Sequence, residues 1–125
     1  MGTRRSAEPW TAGASVFAGR RDPEWDLPAA EAGRLEALWR ALEPLAGDPP
    51  GPPPLGYRGC FAIAPAGEQR FDAYGGAVRR SAPASASEAR ADPGRAFERF
   101  VLSSAPDPEL RGQLLTLAAL PGSPA

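Results

Sequence analysis

Three arginines and three aromatic residues form the pattern in this sequence that most clearly suggests binding chemistry. Each arginine flanks a predicted strand, and the aromatic residues lie close by in the chain. The six residues are Arg20, Arg21, Trp25, Tyr57, Arg58 and Tyr74. Guanidinium groups bind carboxylates and phosphates through paired hydrogen bonds, and aromatic rings stack against them. If the strands lie side by side, this pattern predicts a pocket for an acidic ligand. The alternative is structural, because the same arginines could pair with acidic residues of the chain.

Acidic residues supply a second pattern, the run Asp22, Glu24 and Asp26. Extended backbone would place the three carboxylates on one face. A site for a hard cation needs more convergent oxygen ligands than this run provides. We therefore predict a solvated turn and no metal site. General acid–base chemistry by Asp22, Glu24 and Asp72, with Arg58 holding an anion, is the alternative hypothesis of an enzyme or enzyme subunit.

The composition removes the usual forms of nucleophilic catalysis. The chain has no histidine, and all 14 of its basic residues are arginine. No side chain is available to activate a serine as histidine does or to form a Schiff base as lysine does. The single cysteine, Cys60, excludes an internal disulfide. Arg58 would lie on the same side of an extended strand and could lower the pKa of the Cys60 thiol. A small buried apolar residue is the structural alternative. These absences favour a protein that is not an enzyme and that uses no cofactor, over the alternative of a carboxylate-based enzyme.

Charge and amino-acid composition indicate where such a protein would act. The net charge is −1, so no overall field favours nucleic acid or an anionic membrane. Abundant alanine, glycine, proline and arginine with no lysine or asparagine is typical of a GC-rich bacterial genome. No apolar run approaches the length of a transmembrane helix. We expect a cytoplasmic bacterial protein whose partner is another protein, a second copy of itself or a small acidic ligand.

Hydrophobic periodicity predicts the elements that must position these residues. Leu35, Leu38, Trp39 and Leu42 follow a helical period, with Asp26 as a possible cap. From Tyr57 the period changes to two, which predicts a β-hairpin. Along the chain the expected elements are a strand over 14–18, a helix over 28–44, a proline-rich linker over 47–54, hairpin strands ending near 64 and spanning 70–78, a mobile loop over 81–91, and helices over 93–104 and 107–121.

This order, β-α-β-β-α-α, predicts a small α+β protein of two layers. Its three-stranded, mostly antiparallel sheet would be covered by helices. Residues 10–120 would form one domain between flexible tails, 1–9 and 121–125. A thin sheet exposes its edges to pairing with another chain. We therefore predict a protein that presents the hairpin edge and the arginine–aromatic surface to a protein partner or an acidic ligand, with a self-associating scaffold protein as a further alternative.

Overall fold

One antiparallel sheet of six strands, covered on one face by three α-helices, makes up the fold. The computed structural model describes residues 8–16, 21–53 and 56–120. Within these ranges the strands lie in the order β2-β1-β3-β4-β5-β6. The elements are β1 (Trp10–Ala14), β2 (Glu24–Leu27), α1 (Ala29–Ala41), β3 (Cys60–Ile63), β4 (Arg70–Tyr74), β5 (Ala77–Ala82), β6 (Ser85–Ala91), α2 (Ala96–Ser103) and α3 (Pro108–Leu117). The predicted α+β class is confirmed, whereas the three-stranded sheet and the order β-α-β-β-α-α are wrong.

The predicted mobile loop over 81–91 is instead the end of β5 and the whole of β6. The two strands pair through Val78 with Arg90 and through Arg80 with Glu88. The segment lacks an apolar period because β6 lies at the edge of the sheet, where most of its residues are exposed. Alternation is a strong sequence signal only where one face of a strand is buried.

Gly75 and Gly76 form the turn between two strands, whereas the sequence predicted a single strand broken at these positions. Their φ angles are 62° and 91°. A two-residue hairpin turn of type I′ requires positive φ at both positions, which glycine adopts without strain. Counting outward from this turn pairs Asp72 with Arg79 across β4 and β5.

The strand predicted over 14–18 overlaps β1 only at Ala14, and residues 17–20 lie outside the described ranges. The segment that was predicted to be a charged turn contains β2, an edge strand paired with β1. Gly13 in β1 faces Phe61 in β3. A side chain at Gly13 would collide with the Phe61 ring and lie 2.7 Å from the Pro23 carbonyl oxygen. The sheet therefore needs a glycine there.

The three predicted helices are confirmed with shorter bounds. Asp26 does not cap α1, because it lies in β2 and the capping position is held by Pro28. Asp107 does cap α3, since its carboxylate accepts a hydrogen bond from the Glu109 amide at 3.1 Å. No helix among the described residues combines the length and apolar character needed to cross a membrane.

The core lies between the helices and one face of the sheet, around the aromatic ring of Phe71. Its ring centroid is 6.1 Å from that of Trp10, 5.4 Å from that of Trp39 and 5.5 Å from that of Phe97. Paired residues of an antiparallel sheet point to the same side. The opposite face, which no helix of the described residues covers, is here named the open face. It is crossed by the row Glu24, Gly13, Phe61, Asp72 and Arg79.

Candidate functional site

A cleft of about 260 Å³ lies between the open face and the proline-rich segment. The side chains that could interact with a ligand belong to Ser15, Arg58, Asp72, Tyr74 and Arg79, and we name this site the arginine cleft. Its other walls are Pro49, Pro50, Pro52, Gly59, Cys60, Ala73 and Ala77. Residues 47–53 contain no helix or strand, as the prolines predict.

Backbone hydrogen bonds join the strands at this cleft, and a proline ring packs the proline-rich segment against the β4–β5 turn. Ser15 extends the β1–β3 pairing, because its amide donates to the Gly59 carbonyl at 2.9 Å and its carbonyl accepts from the Arg58 amide at 2.7 Å. On the other side, Pro50 packs so closely on Gly75 that a Cβ there would lie 2.9 Å from the proline Cγ. The turn glycine therefore serves both the hairpin and the contact with Pro50.

The charges in the arginine cleft favour an anion. Asp72 forms an ion pair with Arg70, whose Nε lies 3.0 Å from each carboxylate oxygen of the aspartate. Arg79 is exposed and faces the cleft from the strand next to Asp72. Among the described residues, no ion pair or hydrogen bond involves the Arg79 guanidinium. Arg58, which lies just before β3, also lines the cleft, so the lining contains two arginines and one aspartate that is paired with Arg70.

A second cleft of about 380 Å³ adjoins the first, and we name it the tyrosine cleft. It is lined by Pro53, Tyr57, Tyr74, Gly75, Arg95, Leu117 and Ala118. The rings of Tyr57 and Tyr74 lie 6.2 Å apart at an angle of 36°. Leu117 is 53% exposed, and it is the large apolar side chain that the described part of the chain leaves most open to solvent. Tyr74 lines both clefts.

Beneath the tyrosine cleft, the buried carboxylate of Glu98 organises a polar network. Arg95 binds it through two hydrogen bonds, from Nε at 3.0 Å and from Nη2 at 2.9 Å. The Tyr57 hydroxyl also donates to it. Asp92, which is buried as well, accepts hydrogen bonds from the amides of Phe97 at 2.9 Å and Glu98 at 3.1 Å. Asp92 thus stabilises the start of α2, as its position before Pro93 predicts.

The pKa values within this network keep its neutral groups protonated. Burial raises the pKa of the Cys60 thiol, and the nearby Glu98 charge raises it further. Burial also raises the pKa of the Tyr57 hydroxyl, with Cys60 and Glu98 contributing. The hypothesis that Arg58 activates Cys60 is therefore wrong, because the shift is opposite in direction to the one that activation requires. Burial raises the pKa of Asp92, and this effect outweighs the backbone hydrogen bonds to its carboxylate, which lower the pKa.

The structure brings together part of the predicted arginine–aromatic group. Arg58 and Tyr74 line the arginine cleft, and Tyr57 and Tyr74 line the tyrosine cleft. Trp25 belongs to the core, where its indole Nε1 donates to the Ser104 hydroxyl at 2.9 Å. Arg21 is exposed and lines neither cleft, and Arg20 lies outside the described residues.

The acidic residues of the enzyme hypothesis do not meet. Glu24 and Asp72 share one row on the open face but are three strand spacings apart, roughly 14 Å. Asp22 is used locally, since its carboxylate accepts a hydrogen bond from the Val16 amide at 3.0 Å. Asp26 lies on β2 beside Thr11. Within the described ranges, no cluster of three or more histidine, cysteine or acidic residues is arranged to hold a metal ion.

The sequence analysis did not single out Arg79 and Arg95, which line the clefts, or Glu98, which lies beneath one of them. Had the two adjacent glycines been interpreted as a hairpin turn, counting outward would have placed Arg79 opposite Asp72. Glu98 lies three and four residues before the buried Val101 and Leu102. A helical period therefore places this acid on the buried face. No comparable signal marks Arg95, which reaches Glu98 from a left-handed backbone conformation with φ of 56°.

Comparisons of the chain with protein-family models, with curated proteins and with solved structures found no match.

Proposed function

We propose that this protein is a non-catalytic binding protein that holds a small acidic ligand in the arginine cleft. The observation that carries the proposal is the pair of arginines on either side of the cleft, with Arg79 uncommitted to any ion pair among the described residues. Arginine presents several N–H donors in a fixed plane, which matches the oxygens of a carboxylate or phosphate.

The surroundings of the cleft support a small ligand. Its volume of about 260 Å³ lies just below the usual range for ligand pockets, which is roughly 300–1,000 Å³. Prolines contribute to one wall, and their rings add no competing hydrogen-bond acceptors. Tyr74 offers an aromatic face against which a guanidinium or a planar ligand can stack. These features favour a compact carboxylate or phosphate over a long polyanion.

The test is isothermal titration of the full chain with inorganic phosphate and with succinate. We expect binding by at least one of them, and we expect Arg79→Ala to weaken it by about tenfold or more because a charge-assisted hydrogen bond is lost. Arg34→Ala is the matched control, since Arg34 is an exposed arginine on α1 outside both clefts. Equal losses in the two variants would indicate nonspecific attraction and contradict the proposal.

A second candidate function is pairing with a protein along β6, the outermost strand next to β5. The segment after α1 covers only the last part of this edge, through the Ala91 amide with the Glu43 carbonyl at 2.8 Å and the Leu45 amide with the Ala89 carbonyl at 3.3 Å. Residues 85–88 are exposed. A partner strand could add there by backbone hydrogen bonds. A mass that rises with concentration in light scattering would support self-pairing along this edge.

A further inference from the structure

The two clefts lie on either side of a single contact, that of Pro50 with Gly75. Tyr74 lines both clefts, and the proline-rich segment borders both, through Pro50 in the first and Pro53 in the second. Because Tyr74 belongs to both linings, a ligand group in either cleft can contact the same side chain. The two sites are neighbours on one surface.

Their chemistry differs. In the arginine cleft the guanidinium of Arg79 faces the cavity without an ion pair among the described residues. In the tyrosine cleft the single arginine is neutralised, because Arg95 binds both carboxylate oxygens of the buried Glu98. The groups that a ligand would meet there include two tyrosine rings, a proline ring and the exposed Leu117 side chain. The first site suits an anion and the second suits an uncharged apolar group.

We propose that the natural ligand is an elongated amphipathic anion, whose acidic group lies in the arginine cleft and whose apolar, preferably aromatic, end lies in the tyrosine cleft. This inference rests on the proposed function, because it uses the same anion site. Aromatic rings pack well in offset or tilted arrangements. A ring that stacks on Tyr57 or Tyr74 and contacts Leu117 would cover the apolar surface that Leu117 now exposes.

The experiment compares matched carboxylates by titration of the full chain. The probes are propionate, then phenylacetate, 3-phenylpropionate and 5-phenylpentanoate, and finally the uncharged 3-phenylpropanamide. We expect at least one phenyl acid to bind about tenfold or more tightly than propionate, because burial of a ring adds apolar contact. We expect the affinity to depend on linker length, because the two groups must reach both clefts at once.

Two variants of α3 locate the apolar group. Leu117→Glu places a charge in the tyrosine cleft and should abolish the gain from the phenyl group while leaving the affinity for propionate within about twofold. Gln113→Glu is the matched control, since it adds the same charge one turn earlier on the exposed side of α3, outside the cleft. It should preserve the gain.

The outcomes separate the two proposals. If propionate and the phenyl acids bind equally, or if both variants lose the gain alike, the amphipathic ligand is excluded and the anion site stands. If the amide binds as tightly as the acid, or if none of the probes and neither phosphate nor succinate binds, the anion site itself is refuted. If the phenyl group raises the affinity only when the carboxylate is present, and if this increase is lost in Leu117→Glu but kept in Gln113→Glu, both proposals are supported.

Discussion

Arg79 and Arg95 differ in what surrounds them, and this difference distinguishes the two clefts. Arg95 is partly buried and makes two hydrogen bonds to a carboxylate that solvent does not reach. Arg79 lies on the open face, opposite an aspartate that another arginine already holds. The same side-chain type thus contributes to the stability of the fold at one site and remains available to a ligand at the other.

The cause of this difference is the position of each acidic partner in the fold. Glu98 lies on the buried face of α2, so it must be paired, because an isolated buried charge is strongly unfavourable. Asp72 lies on the open face and is partly exposed, so water stabilises its charge and its ion pair contributes little. Arg95 is therefore paired with a buried carboxylate and stabilises the fold, whereas the guanidinium of the exposed Arg79 is available to a ligand.

The largest expected effect comes from Glu98→Gln, which removes the charge from the buried network while keeping its shape. Arg95 and the Tyr57 hydroxyl both donate to this group, and an amide cannot accept all of their hydrogen bonds. We expect the free energy of unfolding in urea to fall by about 2–4 kcal/mol. Asp72→Asn is the control and should change it by less than about 0.5 kcal/mol. Similar losses of unfolding free energy in both variants would show that the buried Glu98 stabilises the fold no more than the exposed Asp72.

High pH should lower the free energy of unfolding by an amount between the effects of Glu98→Gln and Arg79→Ala. The pKa values of Cys60 and Tyr57 are raised above their ordinary values of 9.0 and 10.0. Each group therefore stabilises the native state fully below its ordinary pKa and less as the pH rises above it. Above pH 9, stability should fall by about 1.4 kcal/mol per pH unit for Cys60, and Tyr57 should add to the slope above pH 10.

Urea unfolding from pH 7 to pH 10.5 measures this loss. The chain has no lysine, so few other groups titrate over this range. Cys60→Ala should remove the first part of the slope. A profile of the parent protein that is flat up to pH 10.5 would show that the thiol is not kept protonated by the fold.

The smallest expected effect is that of Arg79→Ala on stability. Because no ion pair among the described residues involves its guanidinium, its removal should change the free energy of unfolding by less than about 0.5 kcal/mol, as for Arg34→Ala. A fall of more than about 1.5 kcal/mol, measured by urea unfolding, would mean that Arg79 stabilises the fold as Arg95 does. The contrast between the two clefts would then disappear.

Sequence patterns predicted the helices well and the sheet poorly. The helices carry their signals locally, as in the apolar spacing around Leu35 and Trp39 and in Asp107 before Pro108. The strand β6 carries no such signal, because its Ala/Ser-rich residues lie at an exposed edge and are specified by pairing with β5. Of the predicted site, Tyr57, Arg58 and Tyr74 line the two clefts, whereas Trp25 belongs to the core.

The sequence by itself determined the α+β class, the positions of the helices and the absence of histidine and lysine chemistry. These properties depend on composition and on short-range spacing. Only the tertiary structure decided which arginine meets which carboxylate. Arg79 lies on β5 and Arg58 lies before β3, and Tyr57 reaches Glu98 from 41 residues away. Such contacts depend on strand order and on burial, which local spacing does not encode.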